Sequence, residues 1–158
     1  MNILELLEND SRLTPNQLAA MLQKETGDIK REISELEAEG VILGYKTLID
    51  WDKTEREYVT ALIEIKVIPQ RGRGFDEIAE KICRYSEVNT VFLMSGGFDI
   101  AVLVEGKTMR EVALFVAEKL ALIDQVTSTA THFVLRRYKD KGVIYKAPKI
   151  DERGEGGI

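Results

Sequence analysis

Apolar residues recur at helical spacing near the start of the chain and at alternate positions further on. Ile3, Leu4, Leu6 and Leu7 open a short amphipathic helix that Asn9-Asp10-Ser11 closes. Thr14-Pro15 reads as a helix start, a capping hydroxyl followed by proline at the first helical position. Leu18, Ala19 and Leu22 form the buried stripe of that second helix, and Lys24 to Gly27 reads as a turn. Ile29, Ile33 and Leu36, spaced by four and three, predict a third helix that Gly40 stops. Val41 to Tyr45 then reads as a strand. Three short helices with a tight turn between the last two, followed by a strand, predict a winged-helix-like helix-turn-helix.

Leu48 to Glu57 is a polar connection carrying Trp51, and beyond it the period changes from helical to two. Val59, Ala61, Ile63, Ile65 and Val67 alternate with Thr60, Glu64 and Lys66, a strand that Pro69 ends. Phe75, Ile78, Ala79 and Ile82 return to helical spacing. Two apolar runs, Val91 to Ser95 and Phe98 to Val104, flank Gly96-Gly97 and predict a hairpin across a Gly-Gly turn. Met109, Val112, Ala113, Val116 and Leu120 mark another helix, and Thr127 to Tyr138 a closing strand. The order β-α-β-β-α-β predicts a ferredoxin-like unit, so the fold class is α+β.

Such a sheet carries helices on one face only, and the other face of a monomer should be polar. Val91 and Leu93 nevertheless alternate with the apolar Phe92 and Met94, and Ile100, Val102 and Val104 with Ala101 and Leu103. Burying each such side chain is worth roughly 1.5–3 kcal/mol. A second copy is the simplest cover, which predicts an obligate homodimer through sheet-to-sheet or edge contact. The alternative is that the N-terminal helices or the tail fold over that face.

Composition narrows the chemistry. The 158 residues include a single Cys83 and a single His132, which excludes an internal disulfide and a Cys/His zinc site within one chain. No catalytic or metal site is expected. No apolar run approaches the roughly 18 residues of a membrane span. The acidic N-terminus does not read as a signal peptide, so a cytoplasmic protein without a membrane partner is expected. Residues 1–50 hold 5 of the 22 basic and 10 of the 27 acidic side chains, so the negative excess lies in the helical third.

The stretch LTPNQLAAMLQKETGDIKREISELEAEGVILGY, with VNTVFLMSGGFDIAVLVEG and TSTATHFVLRRYK after it, resembles the Lrp/AsnC family of bacterial and archaeal transcription regulators. The matching features are Leu36-Glu37, Gly40, Ile42 and Gly44-Tyr45 after the helix-turn-helix, and Gly96, Phe98 and Asp99 in the hairpin. The resemblance covers about Ile3 to Tyr138. It implies a DNA-binding helix-turn-helix at 1–47, a linker strand at 48–57, a ferredoxin-like regulatory domain of the RAM/AsnC type at 58–140 that binds an effector and oligomerises, and a flexible tail at 141–158. It also implies dimers that assemble into tetramers or octamers, and an amino acid or related small-molecule effector rather than a resident cofactor. The family's recognition helix is usually rich in Arg, and this one is not.

Projected at 100° per residue, the third helix turns Gly27, Arg31, Ser34 and Ala38 away from its apolar stripe. Arg31 and Ser34 are the candidates for base contacts on double-stranded DNA. Lys24, Thr26, Gly27 and Lys30 are those for the phosphate backbone. The plain alternative is a solvated surface helix, since Asp28, Glu32, Glu35, Glu37 and Glu39 share it. In the hairpin, the Gly96 and Gly97 amides would meet an amino acid's carboxylate and Asp99 its ammonium, with Phe98 beside them. The glycines are explained equally by turn geometry alone. Arg71 to Gly74 reads as a surface loop able to meet an anion, and His132 as a strand residue. The leading reading is a sequence-specific transcription regulator that senses a small metabolite. Its alternatives are a metabolite-sensing partner protein that binds no DNA, favoured by the acidic helical third, and a tetrapyrrole decarboxylase on the same scaffold.

Overall fold

The computed structural model describes residues 2–68 and 74–145 and divides into two units, Met1–Ile49 and Asp50–Ile158. The first unit holds α1 (Ile3–Asn9), α2 (Pro15–Leu22) and α3 (Thr26–Ala38). Two reciprocal caps fix where the first two begin. The Glu5 amide donates to Asn2 Oδ1 at 2.9 Å while the Asn2 amide donates to Glu5 Oε2 at 2.8 Å. Thr14 and Gln17 repeat the arrangement at α2, ahead of Pro15. Ile3, Leu6, Leu7, Leu18, Ala19 and Ile29 make the core, with Leu22, Ile33, Leu36 and Ile42 packed against it. Gly40, at φ +71°, ends α3: its amide donates to the Glu37 carbonyl and that of Val41 to the Leu36 carbonyl, at 3.1 and 2.9 Å.

Two expectations are corrected here. Thr26 and Gly27 form the first turn of α3 rather than the preceding turn, which is made by the left-handed Gln23 (φ 54°). Residues 41–45 form no strand. The Val41 and Ile42 amides are both spent on the Leu36 carbonyl, and the Tyr45 hydroxyl donates to Glu37 Oε1 at 2.9 Å. The segment is therefore laced back onto α3, pairs with no strand among the described residues, and leaves Leu43 93% exposed.

The second unit opens with a 3₁₀ turn, Trp51–Lys53, where a linker strand was expected. Then follow β1 (Val59–Val67), α4 (Asp76–Cys83), β2 (Val88–Leu93), β3 (Ile100–Gly106), α5 (Met109–Phe115) and β4 (Val126–Phe133). α5 runs on into a π-helical turn, Val116–Leu120. The sheet order is β2-β3-β1-β4, antiparallel throughout, which is the ferredoxin-like arrangement. One face presents Ala61, Ile63, Ile65 and Val67 with Ile100, Val102 and Val104 to Ile78, Ile82, Val112, Phe115 and Leu120 of the helices.

The register places Leu62, Glu64, Ala101, Leu103, Phe92 and His132 on the other face. That face is divided. Its β1–β4 half is polar, with Glu64 Oε2 3.4 Å from His132 Nε2, whereas the β2–β3 half carries Phe92, Ala101 and Leu103. On the edge strand β2, Phe92 and Leu93 are 53% and 61% exposed.

Three further boundaries move. The hairpin loop runs from Met94 to Asp99, closed by the Met94 amide on the Asp99 carbonyl at 2.8 Å, rather than turning on two glycines. β4 stops at Phe133. Past the last bond to β1, from the Val134 amide to the Thr60 carbonyl at 2.9 Å, the chain folds into a small hairpin of β5 (Lys139–Asp140) and β6 (Val143–Ile144). Residues 141–145, expected as flexible tail, thus belong to ordered structure. Residues 146–158 of that tail, and 69–73 with Pro69 and Arg71 to Arg73, lie outside the described residues.

Candidate nucleic-acid interface and effector turn

α2 and α3 meet through Leu18, Ala19, Leu22, Ile29 and Ile33, which fixes the opposite side of α3 outward. Gly27, Lys30, Arg31 and Ser34 are exposed there, with Lys24 exposed just ahead of the helix and Thr26 half-buried. No side chain caps α3, so the Thr26 and Gly27 amides head the helix ahead of its first intrahelical acceptor. Gly27, Arg31 and Ser34 thus lie on the side of α3 turned from its apolar stripe, with Lys30 flanking them, while Thr26 opens the helix and Lys24 precedes it.

Two of their three charges are not free. Arg31 Nη2 lies 2.5 Å from Asp28 Oδ1, and Lys24 Nζ 2.7 Å from Glu32 Oε2. Arg12 is held by Asp10, whose carboxyl is pushed down to about 2 by hydrogen bonds from the Arg12 side chain and then from its amide. Tyr45 is shifted the other way: burial raises its hydroxyl, and its bond to the Glu37 carboxylate adds to the shift. Asp28, Glu32 and Glu37, legible in the sequence only as acids of a solvated surface, thus each hold a side chain of the head. The Asp28–Arg31 spacing of one helical turn was the available signal; the Lys24–Glu32 and Glu37–Tyr45 separations of eight residues carry none.

In the second unit, Gly96 and Gly97 are exposed, and Phe98 and Asp99 half-buried. Gly96 alone of the pair needs glycine, with φ +149°. Asp99 ties the turn down: its Oδ2 accepts from the Val67 amide at 2.9 Å, and its own amide donates to the Ile65 carbonyl at 3.0 Å. Val67 lies 32 residues away, and nothing local in the sequence announced it. The carboxylate expected to meet an ammonium already serves the end of β1, and any ligand there has to share it. A separate polar cleft of ≈ 460 Å³ lies between the 56–58 connection and the end of β3, with Arg56, Tyr58, Glu105 and Lys107 among its walls. The Tyr58 hydroxyl donates to Glu105 Oε1 across it at 2.8 Å. Elsewhere Glu87 is lowered, chiefly by its hydrogen bond from Lys119 at 2.5 Å.

Both units match known protein families. Residues 1–42 match the family model of a winged helix-turn-helix DNA-binding domain, and residues 60–144 that of the Lrp/AsnC ligand binding domain. YugG, an uncharacterized HTH-type transcriptional regulator of Bacillus subtilis, is 45% identical over 152 residues, 96% of this chain and 92% of its own. The proline dehydrogenase transcriptional activator of Rhizobium radiobacter is 24% identical over 143 residues, 90% of this chain and 91% of its own. Two solved structures share the fold. Escherichia coli AsnC has a TM-score of 0.66 at 20% identity, covering 85% of this chain and 89% of its own. A Neisseria meningitidis transcriptional regulator solved as an L-Met complex has a TM-score of 0.71 at 22% identity, covering 87% and 88%. With both its helix-turn-helix and its ligand-binding domain matched, the chain belongs to the Lrp/AsnC family of DNA-binding transcriptional regulators.

Proposed function

We propose that this regulator works in the cytoplasm as a sequence-specific homodimer, assembling further into tetramers or octamers, and that its sheet domain senses an amino acid or related small metabolite. The observation that carries the dimer is the pair Phe92 and Leu93, more than half exposed on an edge strand and pointing to opposite faces. An edge strand with large apolar side chains and unpaired backbone groups invites a partner. Pairing two heads multiplies weak single-head binding by roughly 10²–10⁴ when both engage together. Each head reads bases with Arg31 and Ser34 and meets the backbone with Lys24, Thr26, Gly27 and Lys30. Releasing an exposed pair such as Arg31–Asp28 costs about 0–1 kcal/mol, a small toll against a charge-assisted contact to guanine.

The effector reading rests on the turn at Gly96 to Asp99. An amino acid presents one carboxylate and one ammonium, matching the exposed Gly96 and Gly97 amides and the anchored Asp99 carboxylate. The L-Met bound to the Neisseria meningitidis neighbour supports that chemical class. Light scattering with and without a panel of amino acids, run beside gel shifts on the upstream region of the protein's own gene, tests both halves. A dimer or larger particle whose mass or DNA affinity responds to one amino acid is expected. A single-chain mass in dilute solution defeats the dimer, and indifference to the whole panel defeats the effector.

A further inference from the structure

We propose that the C-terminal hairpin, residues 134–145, is a second DNA-contacting surface that grips phosphates through Arg136, Lys139 and Lys141. The proposal rests on the DNA binding of the family and adds a contact surface outside the helix-turn-helix. Within these residues four side chains are basic and one is acidic, the reverse of the balance in the helical unit.

The hairpin is built to present its charge. β5 and β6 pair Lys139 with Ile144 and Asp140 with Val143, across a two-residue turn whose members, Lys141 and Gly142, both have positive φ (43° and 82°). The Tyr145 amide closes it on the Tyr138 carbonyl at 2.9 Å. Arg137 is the structural cation. It is half-buried, 3.5 Å from Asp140, and although burial opposes its charge, the nearby Tyr145 and Tyr58 hydroxyls and Asp140 raise its pKa overall. Arg136, Lys139 and Lys141 are exposed, and among the described residues no carboxylate is paired with any of them. Arg136 stands 5.0 Å over the ring of the exposed Tyr138, which stiffens the guanidinium without neutralising it.

The contrast with the helical unit supplies the partner. There, Arg12, Lys24 and Arg31 are each held by an acid of the same unit. Affinity for duplex DNA comes largely from cations that displace counterions from phosphates. A reading head with an acidic balance, three of whose five cations are held by acids, contributes little of this, and three unpaired cations on one small hairpin complement the missing charge. Phosphate contacts carry no base information, so the hairpin strengthens binding to all sequences alike.

The test replaces Arg136, Lys139 and Lys141 together by Gln and measures affinity across a salt series, for the upstream duplex and for an unrelated duplex of equal length. A control variant neutralises three other exposed cations of the same unit, Lys81, Arg84 and Arg110. Light scattering checks that the assembled mass is kept, and circular dichroism the fold. The hairpin variant is expected to flatten the log–log salt slope by about 0.9 per lost phosphate contact. It should weaken both duplexes by the same factor, tenfold or more, while the control variant changes little. Equal slopes for wild type and hairpin variant overturn the proposal, as does an equal loss in the control, which would report net charge alone. A fall in assembled mass also overturns it, making the hairpin an interface between copies or with another protein. Failure of the wild type to bind either duplex would count against the DNA-binding reading itself, a result distinct from all of these.

Discussion

The helical unit is held together at short range, the sheet unit at long range. Asn2 and Glu5, Thr14 and Gln17, and Asp28 and Arg31 all join residues one helical turn apart, and the Gly40 and Val41 amides close α3 on carbonyls three and five residues back. In the sheet unit, Asp99 fixes its turn by accepting from Val67, and Tyr58 reaches Glu105 across 47 residues. Local bonds let the head form as a module with a small core. Long-range bonds make the sheet cooperative, and tie the shape of one loop to a strand end far away in sequence.

The strongest attempt to break that comparison removes a buried side chain from the head. Leu18 is fully buried in a core of few residues, and Leu18→Ala is expected to cost about 2–5 kcal/mol. So small a unit cannot absorb that loss. Amide hydrogen exchange should show α1 to α3 exchanging freely while the protection of β1 and β3 is kept, with DNA binding lost and assembled mass unchanged. Simultaneous loss of protection in both units would mean that they fold as one.

A smaller effect is expected where the sheet unit depends on single residues. Gly96→Val forces a β-branched residue to φ +149°, worth about 1–3 kcal/mol, whereas a methyl at Gly97 meets nothing within 4 Å and should stay within about 0.5 kcal/mol. Asp99→Ala orphans the Val67 amide and belongs with Gly96→Val, at about 1.5–3 kcal/mol. Thermal melts of the three variants check the order. Equal melting of the two glycine variants would remove the conformational argument for Gly96.

The same division governs what could be read in advance. β1 stands at Val59–Val67 as its alternation predicts, because a strand flanked on both sides has to satisfy two partners and one buried face. The Thr14-Pro15 start was equally plain, since a cap is written in adjacent letters. Val41 to Tyr45 is just as apolar, yet the Val41 and Ile42 amides turn back to Leu36. An apolar pattern reports which side chains seek burial and is silent on whether a partner strand exists. The β-branched run into Val134 hid the end of β4 for the same reason. For the site, projection of α3 placed Arg31 and Ser34 outward, because helix phase follows from Ile29 and Ile33. Whether Arg31 or Arg136 is already neutralised is a matter of side-chain geometry, which neither spacing nor net charge reveals.

The finest test concerns that neutralisation. Asp28 lies in the first turn of α3, where a negative charge favours the helix N-terminus by about 0.3–1 kcal/mol, and it also holds Arg31. Asp28→Asn keeps the shape and removes the charge. Stability of the head should fall slightly, by under about 1 kcal/mol, because both the dipole interaction and an exposed ion pair are lost. DNA affinity should move the other way. Arg31 no longer has to leave a partner, and a negative charge is withdrawn from the surface proposed to face phosphates, so tighter binding with a steeper salt dependence is expected. The opposite signs are the diagnostic, read by a thermal melt beside a binding titration at two salt concentrations. If affinity falls together with stability, Asp28 is positioning Arg31 for its base, and the pair is part of the reading surface rather than a brake on it.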